Sequence, residues 1–462
     1  MDYPGTIDFI YGLQRHGVKL GLQRISHLLE LLGNPHYSYP SIHIAGTNGK
    51  GSVSAIISSI LTEAGFKTGL FTSPHLLSFT ERIRIGYSCI TEEEVVNYAS
   101  RLRSIIEANG IKGTTFFEFV TAMAMLYFAQ RAVDCAVFET GMGGRLDATN
   151  VINPEVSVIT KIGYDHREFL GDTLEQIAYE KAGIIKAKTP LVCASQHQEA
   201  LGVIIKRAEG LDARCYLFGR DFSASLLKAS YKGIGFDFVS EGLYLNDLSL
   251  PLAGVHQLEN ASLAIMASYL FVRKRSKKGQ ITSAIKEGIS GVRWEGRLQL
   301  LSLSPQILID GAHNPEASGA LASFINTYLH GQRIIFVIAI MADKDVVGIL
   351  RHLLPIGERI IFTAPKSDRA APPARLLDTA RSMGLKNTLC AATVKEALDL
   401  AFSFTGHNLS GFRCPQYYQR DLDINPNEPL IVITGSFYLL GEVLEILGFK
   451  PVLGDLRETM RV

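Results

Sequence analysis

Side chains that could do chemistry recur in this sequence where short apolar runs end. The clearest case follows residues 42–45, an apolar run typical of a buried strand, and is the glycine-rich turn Gly46-Thr47-Asn48-Gly49-Lys50-Gly51-Ser52. Residues 53–61 then show the apolar periodicity of a helix. A strand, a glycine loop and a helix form a phosphate cradle, because glycines let backbone N–H groups turn toward an anion and the helix N-terminus adds partial positive charge. Lys50 would reach the terminal phosphates, and Ser52 would place a hydroxyl near a metal.

This turn departs from the general phosphate-binding loop. Only two residues separate the glycine before Lys50 from the one that opens the loop, and Gly51 stands between Lys50 and Ser52. A glycine-rich turn with a lysine is often a loop without special function. The flanking strand and helix, with the final Gly-Lys-Gly-Ser, favour nucleotide binding.

Three further groups follow apolar runs: Ser73, Glu139 and His166. The carboxyl ends of parallel strands meet at one edge of a sheet, where ligands bind, so these loops and the cradle should form one site. Magnesium prefers oxygen ligands, which Glu139 and Ser73 supply. His166 would be an unusual magnesium ligand, since imidazole suits softer metals.

Each of these residues also has a plainer interpretation. A histidine after a strand is most often a satisfied structural residue. Glu139 alone would be a helix cap or a surface acid, and Ser73 a turn residue. Lys181, in the predicted helix after Thr173, would by itself lie on a solvated helix face.

A second region repeats the pattern at Asp310-Gly311-Ala312-His313-Asn314-Pro315, which follows an apolar run at residues 307–310. Asp310 and His313 would lie where a strand gives way to a helix, as in a ligand site. The alternative is that Asp310 only caps a helix with Pro315 at its first position. The residues alone leave both interpretations open.

The alternation of apolar runs with helical patterns predicts an α/β protein with parallel sheets and right-handed crossovers. We expect a P-loop-type domain over residues 1–293 and a smaller Rossmann-like α/β domain over residues 294–462. Residues 214–252 read as a small antiparallel excursion, and residues 291–297 break the pattern at the boundary. The predicted strands cover residues 42–45, 67–71, 134–140, 156–162, 189–193, 307–310, 334–338, 360–363 and 430–434.

Composition limits the functional classes. The formal net charge of +1 argues against a nucleic-acid binder that relies on a basic surface. The longest uncharged apolar run, residues 119–129, is well short of the about 20 residues that a membrane span needs. The six cysteines show no CxxC spacing, and Cys135 and Cys193 lie in apolar runs, which favours buried free thiols. These features predict a cytoplasmic enzyme that binds neither nucleic acid nor membrane.

Together these blocks resemble the folylpolyglutamate synthase/dihydrofolate synthase family within the larger Mur ligase group. The matching segments occur in family order and span most of the chain. They are HIAGTNGKGS (43–52), TSPHL (72–76), ERIRI (81–85), ETGMGGRLDATN (139–150), IGYDHREFLGDT (162–173), EKAGIIK (180–186), HQLEN (256–260), EGRLQ (295–299), DGAHNP (310–315), DKD (343–345) and TGSFYLLGEV (434–443). TSPHL beside the cradle favours the folate branch over cell-wall ligases.

The resemblance implies roles for matching residues. The cradle, residues 46–52, would bind the phosphates of ATP. The family places further groups around the nucleotide, two magnesium ions, a monovalent cation and the acceptor. These are Asn260 at the adenine; Arg297, Asp310 and His313 from the second domain; Ser73, Glu139, His166 and a carbamylated Lys181 at the metals; and Ser73, Pro74, His75 and Arg82 at the pterin and benzoate. Lys50, His166 and Lys181 would take part in catalysis.

The reaction implied is the ATP-dependent joining of L-glutamate to dihydropteroate, to reduced folates, or to both, in a monomer. One alternative is a muramyl-type ligase of cell-wall synthesis, and another is a nucleotide-hydrolysing switch that makes no bond. Arg167 and Glu168 cannot be assigned a role, and residues 406–428 form a longer and more polar loop than the family suggests.

Overall fold

The structure is a computed structural model that describes residues 1–17, 19–275, 281–414 and 423–450. Strands and helices are numbered in chain order. The strands of the first sheet are β1 (Ser41–Ala45), β2 (Thr68–Phe71), β3 (Ile83–Ile85), β4 (Ser88–Cys89), β5 (Cys135–Glu139), β6 (Val156–Ile159), β7 (Leu191–Cys193) and β8 (Cys215–Leu217). Within the described residues they lie in the order β4-β3-β2-β5-β1-β6-β7-β8.

This sheet is parallel from β2 to β8, which confirms the predicted α/β class. The strands β3 and β4 add an antiparallel edge, which the sequence did not predict. Central strands such as β1 are fully buried because helices cover both faces. The helices of this part of the chain are α1 (Tyr3–Gly12), α2 (Gln23–Leu31), α3 (Lys50–Glu63), α4 (Glu92–Ala108), α5 (Phe116–Gln130), α6 (Arg167–Leu170), α7 (Leu174–Ala182), α8 (Gln198–Glu209), α9 (His256–Val272) and α10 (Ile281–Gly291).

Several helix starts are fixed by local chemistry that can be read from the sequence. Thr91, Thr115 and Thr173 precede α4, α5 and α7, and each hydroxyl accepts a hydrogen bond from a backbone N–H of the first turn. The side chain of the residue three positions later accepts a hydrogen bond from the threonine N–H, which completes a capping box. The predicted helix starts after Thr91 and Thr173 are confirmed.

A second sheet is antiparallel and small. It consists of β9 (Phe222–Ser230), β10 (Gly233–Ser240) and β11 (Leu243–Leu250), in the order β11-β10-β9. The antiparallel excursion predicted for residues 214–252 is confirmed for these strands. It is wrong for β8, which pairs in parallel with β7 in the first sheet. β8 is too short to show an alternation that would separate the two cases.

The third sheet forms from residue 299 onward. Its strands are β12 (Gln299–Leu303), β13 (Gln306–Asp310), β14 (Ile334–Ile338), β15 (Arg359–Phe362), β16 (Thr388–Cys390) and β17 (Leu430–Thr434), in the order β12-β13-β17-β14-β15-β16. Its helices are α11 (Pro315–Tyr328), α12 (Val346–Leu353), α13 (Pro373–Ser382), α14 (Val394–Phe404) and α15 (Phe437–Ile446). The sheet is parallel apart from β12, which pairs antiparallel with β13 and was not predicted. The boundary near residue 293 stays a prediction.

The structure also bears on two expectations from composition, those about the cysteines and about membrane-spanning helices. Cys135 and Cys193 are buried and form no disulfide, as predicted. Within the described residues, no helix is long and apolar enough to cross a membrane. Of the loop predicted at residues 406–428, positions 415–422 lie outside the described residues, and Leu409–Gly411 forms a short 3-10 turn.

Candidate active site

The cradle between β1 and α3 depends on two glycines in the left-handed region. Gly46 has φ 154° and Gly49 has φ 91°. A Cβ atom added to Gly46 would overlap the Thr160 side chain, and one added to Gly49 would overlap the amide of Asn260. Backbone conformation and space therefore both require glycine at these positions.

Replacing Gly49 by alanine is expected to lower the free energy of unfolding by about 1–2 kcal/mol, because an L side chain is strained at this φ. The displaced Asn260 should also raise the KM for ATP. Gly202→Ala is the matched control, since a Cβ there meets nothing within 4 Å in the middle of α8. It should leave KM unchanged and raise stability by up to about 1 kcal/mol. Denaturant unfolding and ATP kinetics on both variants measure this, and equal effects would contradict the cradle geometry.

Not every N–H of the cradle faces a ligand. The N–H groups of Thr47 and Asn48 both donate to the carbonyl of Lys161, at 2.8 and 3.2 Å. No side chain caps the start of α3. The N–H groups of residues 49–52 lack intrahelical partners, as at any helix start, so they are the donors that an anion would meet.

Lys50 is central to the site. Its Nζ atom donates to the carbonyl of Thr47 at 3.3 Å. Burial raises the pKa of Glu139, and the charge of Lys50 opposes that rise. Burial lowers the pKa of His166 to about 4 and that of Lys181 to about 7, and the same charge adds to both shifts. The structure thus brings together four residues that are far apart in sequence.

Glu139 lies at the end of β5 and is almost fully buried. Its Oε2 atom accepts a hydrogen bond from the N–H of Ser73 at 3.1 Å. The charges of Lys50 and Arg297 favour its ionised form. The interpretations of Glu139 as a surface acid or a helix cap are therefore wrong, because the carboxylate faces cations inside the protein.

Lys181 is buried, with an exposed fraction of 4%. Its Nζ atom donates to the carbonyl of Gly46 at 2.7 Å, which ties α7 to the cradle. The interpretation of Lys181 as a solvated helix residue is wrong, because its side chain is buried and bonded to the cradle. Burial makes the charged ammonium costly and so favours the neutral amine.

The loop after β2 is shaped by Glu81. Its carboxylate accepts hydrogen bonds from three successive N–H groups, at 2.8–2.9 Å, those of Leu76, Leu77 and Ser78. The first residue of the ERIRI segment therefore holds the end of the TSPHL segment and the two residues after it through the backbone. This role leaves the Glu81 carboxylate satisfied without a cation.

His75 and Arg82 bind each other rather than facing the open cleft. The Nε–H of Arg82 donates to Nδ1 of His75 at 2.7 Å, and Nε2 of His75 contacts the hydroxyl of Tyr11 at 3.1 Å. The Arg82 guanidinium lies 5.2 Å from the ring centre of Phe116. Burial lowers the pKa of His75 to about 3, which keeps its ring neutral and able to accept the bond.

Asp310 does not cap α11. Its carboxylate accepts from the N–H groups of Leu298 and Ala312, both at 2.9 Å, and is buried. The cap is Asn314, whose Oδ1 accepts from the N–H of Ala317 at 2.9 Å. The capping interpretation of Asp310 is therefore wrong, while Pro315 at the first helical position is confirmed.

Arg297 closes a cleft between the first sheet and the third. Its guanidinium lies 4.6 Å from the ring centre of Phe437. Burial lowers its pKa, and the charges of Asp310 and Glu139 oppose that shift, so the cation faces both carboxylates. The cleft holds about 410 Å³ of space, open solvent included. Its lining residues are Gly51, Thr72, Ser73, Pro74, Leu76, Glu81, Arg84, Glu139, Trp294, Glu295, Arg297 and Phe437.

A buried carboxylate that the sequence did not single out joins the two regions. Asp165 Oδ1 lies 2.5 Å from Nζ of Lys344, and Oδ2 lies 3.6 Å from Nε2 of His313 and 3.8 Å from Nε2 of His166. Burial would raise the pKa of Asp165, but the hydrogen bond with His313 and the nearby positive charges hold it well below its usual range. Its place beside His166 in a strand-end loop was the available signal.

Asn48 also links the cradle to the third sheet. Its Oδ1 atom accepts from Nδ2 of Asn314 at 2.9 Å, and its Nδ2 donates to Oε2 of Glu316 at 3.0 Å. Asn314 thus caps α11 with its oxygen and holds the cradle with its nitrogen. Short side chains on both partners fix the position of α11 against the phosphate site.

Asn314→Ser is expected to keep the cap but lose the bond to Asn48, because serine caps well and is too short to reach. We expect kcat/KM for ATP to fall about fivefold, the value of one hydrogen bond of about 1 kcal/mol. A double-mutant cycle with Asn48→Ala measures the coupling, and strictly additive losses would contradict the bridge. Thr393→Ser, a cap exchange on α14, is the control and should leave the kinetics unchanged.

Two of the three side chains predicted to bind metal carry the oxygen atoms that magnesium prefers. Ser73 and Glu139 offer oxygen atoms, and His166 has a pKa of about 4, so its ring is neutral as a ligand must be. Among the described residues, no group of three or more His, Cys, Asp or Glu side chains is placed to hold a metal. Magnesium bound with nucleotide takes few protein ligands and completes its shell with phosphate and water.

Comparisons with known proteins fit this geometry. Residues 44–268 match the Mur ligase middle domain, and residues 296–408 match the Mur ligase glutamate ligase domain. The chain is 34% identical over 452 residues to the dihydrofolate synthase/folylpolyglutamate synthase of Bacillus subtilis, covering 96% of this chain and 98% of that protein. The chain belongs to the folylpolyglutamate synthase/dihydrofolate synthase family. It is therefore an ATP-dependent ligase of the folylpolyglutamate synthase type, and the muramyl ligase alternative is not supported.

Solved structures agree. A folylpolyglutamate synthase of Mycobacterium tuberculosis complexed with ADP and AMPPCP superimposes with a TM-score of 0.86 at 33% identity, covering 97% of this chain and all of that one. FolC of E. coli in complex with DHPP and ADP superimposes with a TM-score of 0.81 at 29% identity, covering 96% of this chain and 97% of that one. The predicted P-loop-type and Rossmann-like α/β architecture is confirmed.

Proposed function

We propose that this ligase joins the amine of L-glutamate to a carboxylate of dihydropteroate, of a reduced folate, or of both. The observation that carries the proposal is the cleft beside the cradle. In this cleft, Glu139 at the end of a strand of the first sheet faces Arg297, which lies just before the third sheet. The relatives with high coverage support the folate acceptor. Three relatives, those of Bacillus subtilis, Mycobacterium tuberculosis and Escherichia coli, carry both activities in their names, and no residue here excludes either.

The chemistry requires activation, because a carboxylate does not react with an amine at neutral pH. A carboxylate oxygen of the acceptor attacks the γ-phosphorus of ATP, and the bond to the bridging oxygen breaks to release ADP. The neutral amine of glutamate then attacks the acyl carbon, phosphate leaves, and the amine loses its proton as the amide forms. Closure of the cleft would exclude water and protect the acyl phosphate from hydrolysis.

The cradle and Lys50 would stabilise the charge on the phosphates, and Arg297 would stabilise the transferring phosphoryl group. Asn260 lies against Gly49, and we propose that it approaches the adenine. Asp310 and His313, at and just after the end of β13 in the third sheet, would contact the nucleotide from the other side of the cleft. The Nδ1 atom of His313 forms a hydrogen bond with the carbonyl of Gly311 at 2.7 Å.

We propose that Ser73, Glu139 and His166 hold two magnesium ions, which would neutralise phosphate charge. A carbamylated Lys181 would be a further ligand. Its neutral amine would attack carbon dioxide, form an N–C bond and release a proton, leaving an anion with two oxygens. The burial that favours the neutral amine supports this modification. We also propose that the enzyme uses a monovalent cation.

For the acceptor we propose contacts with Ser73 and Pro74, which line the cleft. His75 and Arg82 do not line it, so their proposed contact with the pterin or benzoate requires the loop to move or the ligand to reach past Pro74. We further propose a monomer located in the cytoplasm.

The test is ADP release with magnesium, ATP and L-glutamate, comparing dihydropteroate with tetrahydrofolate as the acceptor. ADP should form only when an acceptor and glutamate are both present, and a chelator should stop it until magnesium is restored. Activity with both acceptors means a bifunctional enzyme, and activity with tetrahydrofolate alone means a polyglutamate synthase. Activity with neither would overturn the folate assignment.

A further inference from the structure

One cation in the cleft has no assigned role and no carboxylate partner. Arg84 lies in the middle of β3 and lines the cleft. Its Nε–H donates to the backbone carbonyl of Glu81 at 3.1 Å, which fixes the direction of the side chain. Among the described residues, no carboxylate lies within the 4.0 Å of an ion pair with its guanidinium.

The neighbouring charged residues explain why Arg84 has no carboxylate partner among the described residues. The carboxylate of Glu81 is occupied by the three N–H groups of the preceding loop. Glu295 lines the same cleft but lies beyond ion-pairing distance. Arg297, the other cation of the lining, already faces Asp310 and Glu139. A guanidinium in a part-buried cleft gains most from a bidentate carboxylate, which a ligand can supply.

Trp294 places this cation relative to the nucleotide. The Arg84 guanidinium lies 5.5 Å from the centre of the Trp294 ring, as in a cation–π contact. The Cζ2 and Nε1 atoms of the same indole pack so close to Gly51 that an added Cβ atom would lie 2.9 and 3.0 Å from them. One indole therefore contacts both Arg84 and the helix start that would bind phosphate.

We propose that Arg84 binds a substrate carboxylate other than the one that is phosphorylated, with Trp294 holding the guanidinium in place. This inference rests on the proposed function. The reacting carboxylate must lie near Lys50 and Glu139, so a cation one ring away meets a second acidic group. Two sources have this chemistry: the glutamate tail of a folate acceptor, which dihydropteroate lacks, and the incoming L-glutamate.

The test uses Arg84→Met, which removes the charge but keeps an unbranched apolar stem, and Arg84→Lys, which keeps the charge but loses the planar fork. KM is measured separately for tetrahydrofolate, dihydropteroate, L-glutamate and ATP. We expect one carboxylate substrate to show a KM raised roughly 10- to 100-fold in Arg84→Met, the loss of a charge-assisted hydrogen bond. Arg84→Lys should lose less, and the KM for ATP should be unchanged.

The arms separate the two sources. A raised KM for tetrahydrofolate, with dihydropteroate unaffected, assigns the acceptor tail, and a raised KM for glutamate with either acceptor assigns the incoming amino acid. Calorimetric titration of the same substrate should weaken in parallel. Unchanged KM values, or a fall in kcat alone, would overturn the proposal. An inactive wild type with every acceptor would instead overturn the proposed function.

Trp294→Leu provides a second variant. It removes the aromatic face but leaves the Arg84 charge, so it should raise the same KM as Arg84→Met by a smaller factor. Trp294 is the one tryptophan in the sequence, so its fluorescence reports this site alone. L-glutamate or an ATP analogue binding in the cleft should change that fluorescence, and loss of the glutamate response in Arg84→Met, with the nucleotide response retained, supports the glutamate arm.

Discussion

Lys50→Ala is expected to reduce kcat to near background, roughly 10³-fold, because it removes the cation that acts on the transferring phosphate. The fold should survive, since Lys50 makes one weak hydrogen bond, to the carbonyl of Thr47. The measurement is ADP release under saturating ATP, with thermal unfolding to confirm that the variant is folded.

The electrostatics give this variant a second signature. With Lys50 absent, the pKa of both Glu139 and Lys181 should rise, because the positive charge lowers each in the native protein. Lys206→Ala, on the exposed side of α8, is the matched control and should be fully active. Near-normal activity of Lys50→Ala would show that the cradle assignment is wrong.

Arg297→Met is expected to lower kcat about 10³-fold, which is the lower end of what an arginine beside a transferring phosphoryl group contributes. Its methionine can still pack against Phe437, so the apolar contact is kept while the charge is lost. The pKa of Glu139 and of Asp310 should rise, because Arg297 favours the ionised form of both. Single-turnover ADP formation measures the effect on phosphoryl transfer.

Two companion variants interpret that result. Arg297→Lys keeps the charge but not the planar fork, so it should recover part of the rate. Phe437→Leu removes only the aromatic face under the guanidinium and should cost much less than Arg297→Met. If the lysine and methionine variants lose activity equally while both remain folded, position rather than charge governs the role of Arg297.

Much of the fold follows from local patterns. Mainly apolar strands such as β1 and β14 are recognisable because they are buried on both faces and flanked by turn residues. Thr91 and Thr173 mark helix starts through side-chain bonds within one turn. The strand β12 escaped prediction because it mixes polar and apolar residues in an edge hairpin. The parallel pairing of β8 was also missed, since β8 has only three residues.

The candidate site likewise has features that local patterns predict and features that they do not. The strand-loop-helix of the cradle and the residues at strand ends could be proposed from sequence, because a parallel sheet gathers its carboxyl ends at one edge. The sequence could not predict which N–H groups of the cradle remain free to bind an anion. Those of Thr47 and Asn48 do not, because both donate hydrogen bonds to the carbonyl of Lys161.

The sequence by itself therefore determined the class of fold, the strand-loop-helix of the cradle and the family, since these depend on residue type and short spacing. Only the tertiary structure decided that Lys181 is buried against Gly46 and that Asp165 pairs with Lys344. It also decided that Trp294 contacts both Gly51 and Arg84. The physical reason is that burial and charge pairing depend on contacts between residues more than a hundred positions apart, which no local pattern encodes.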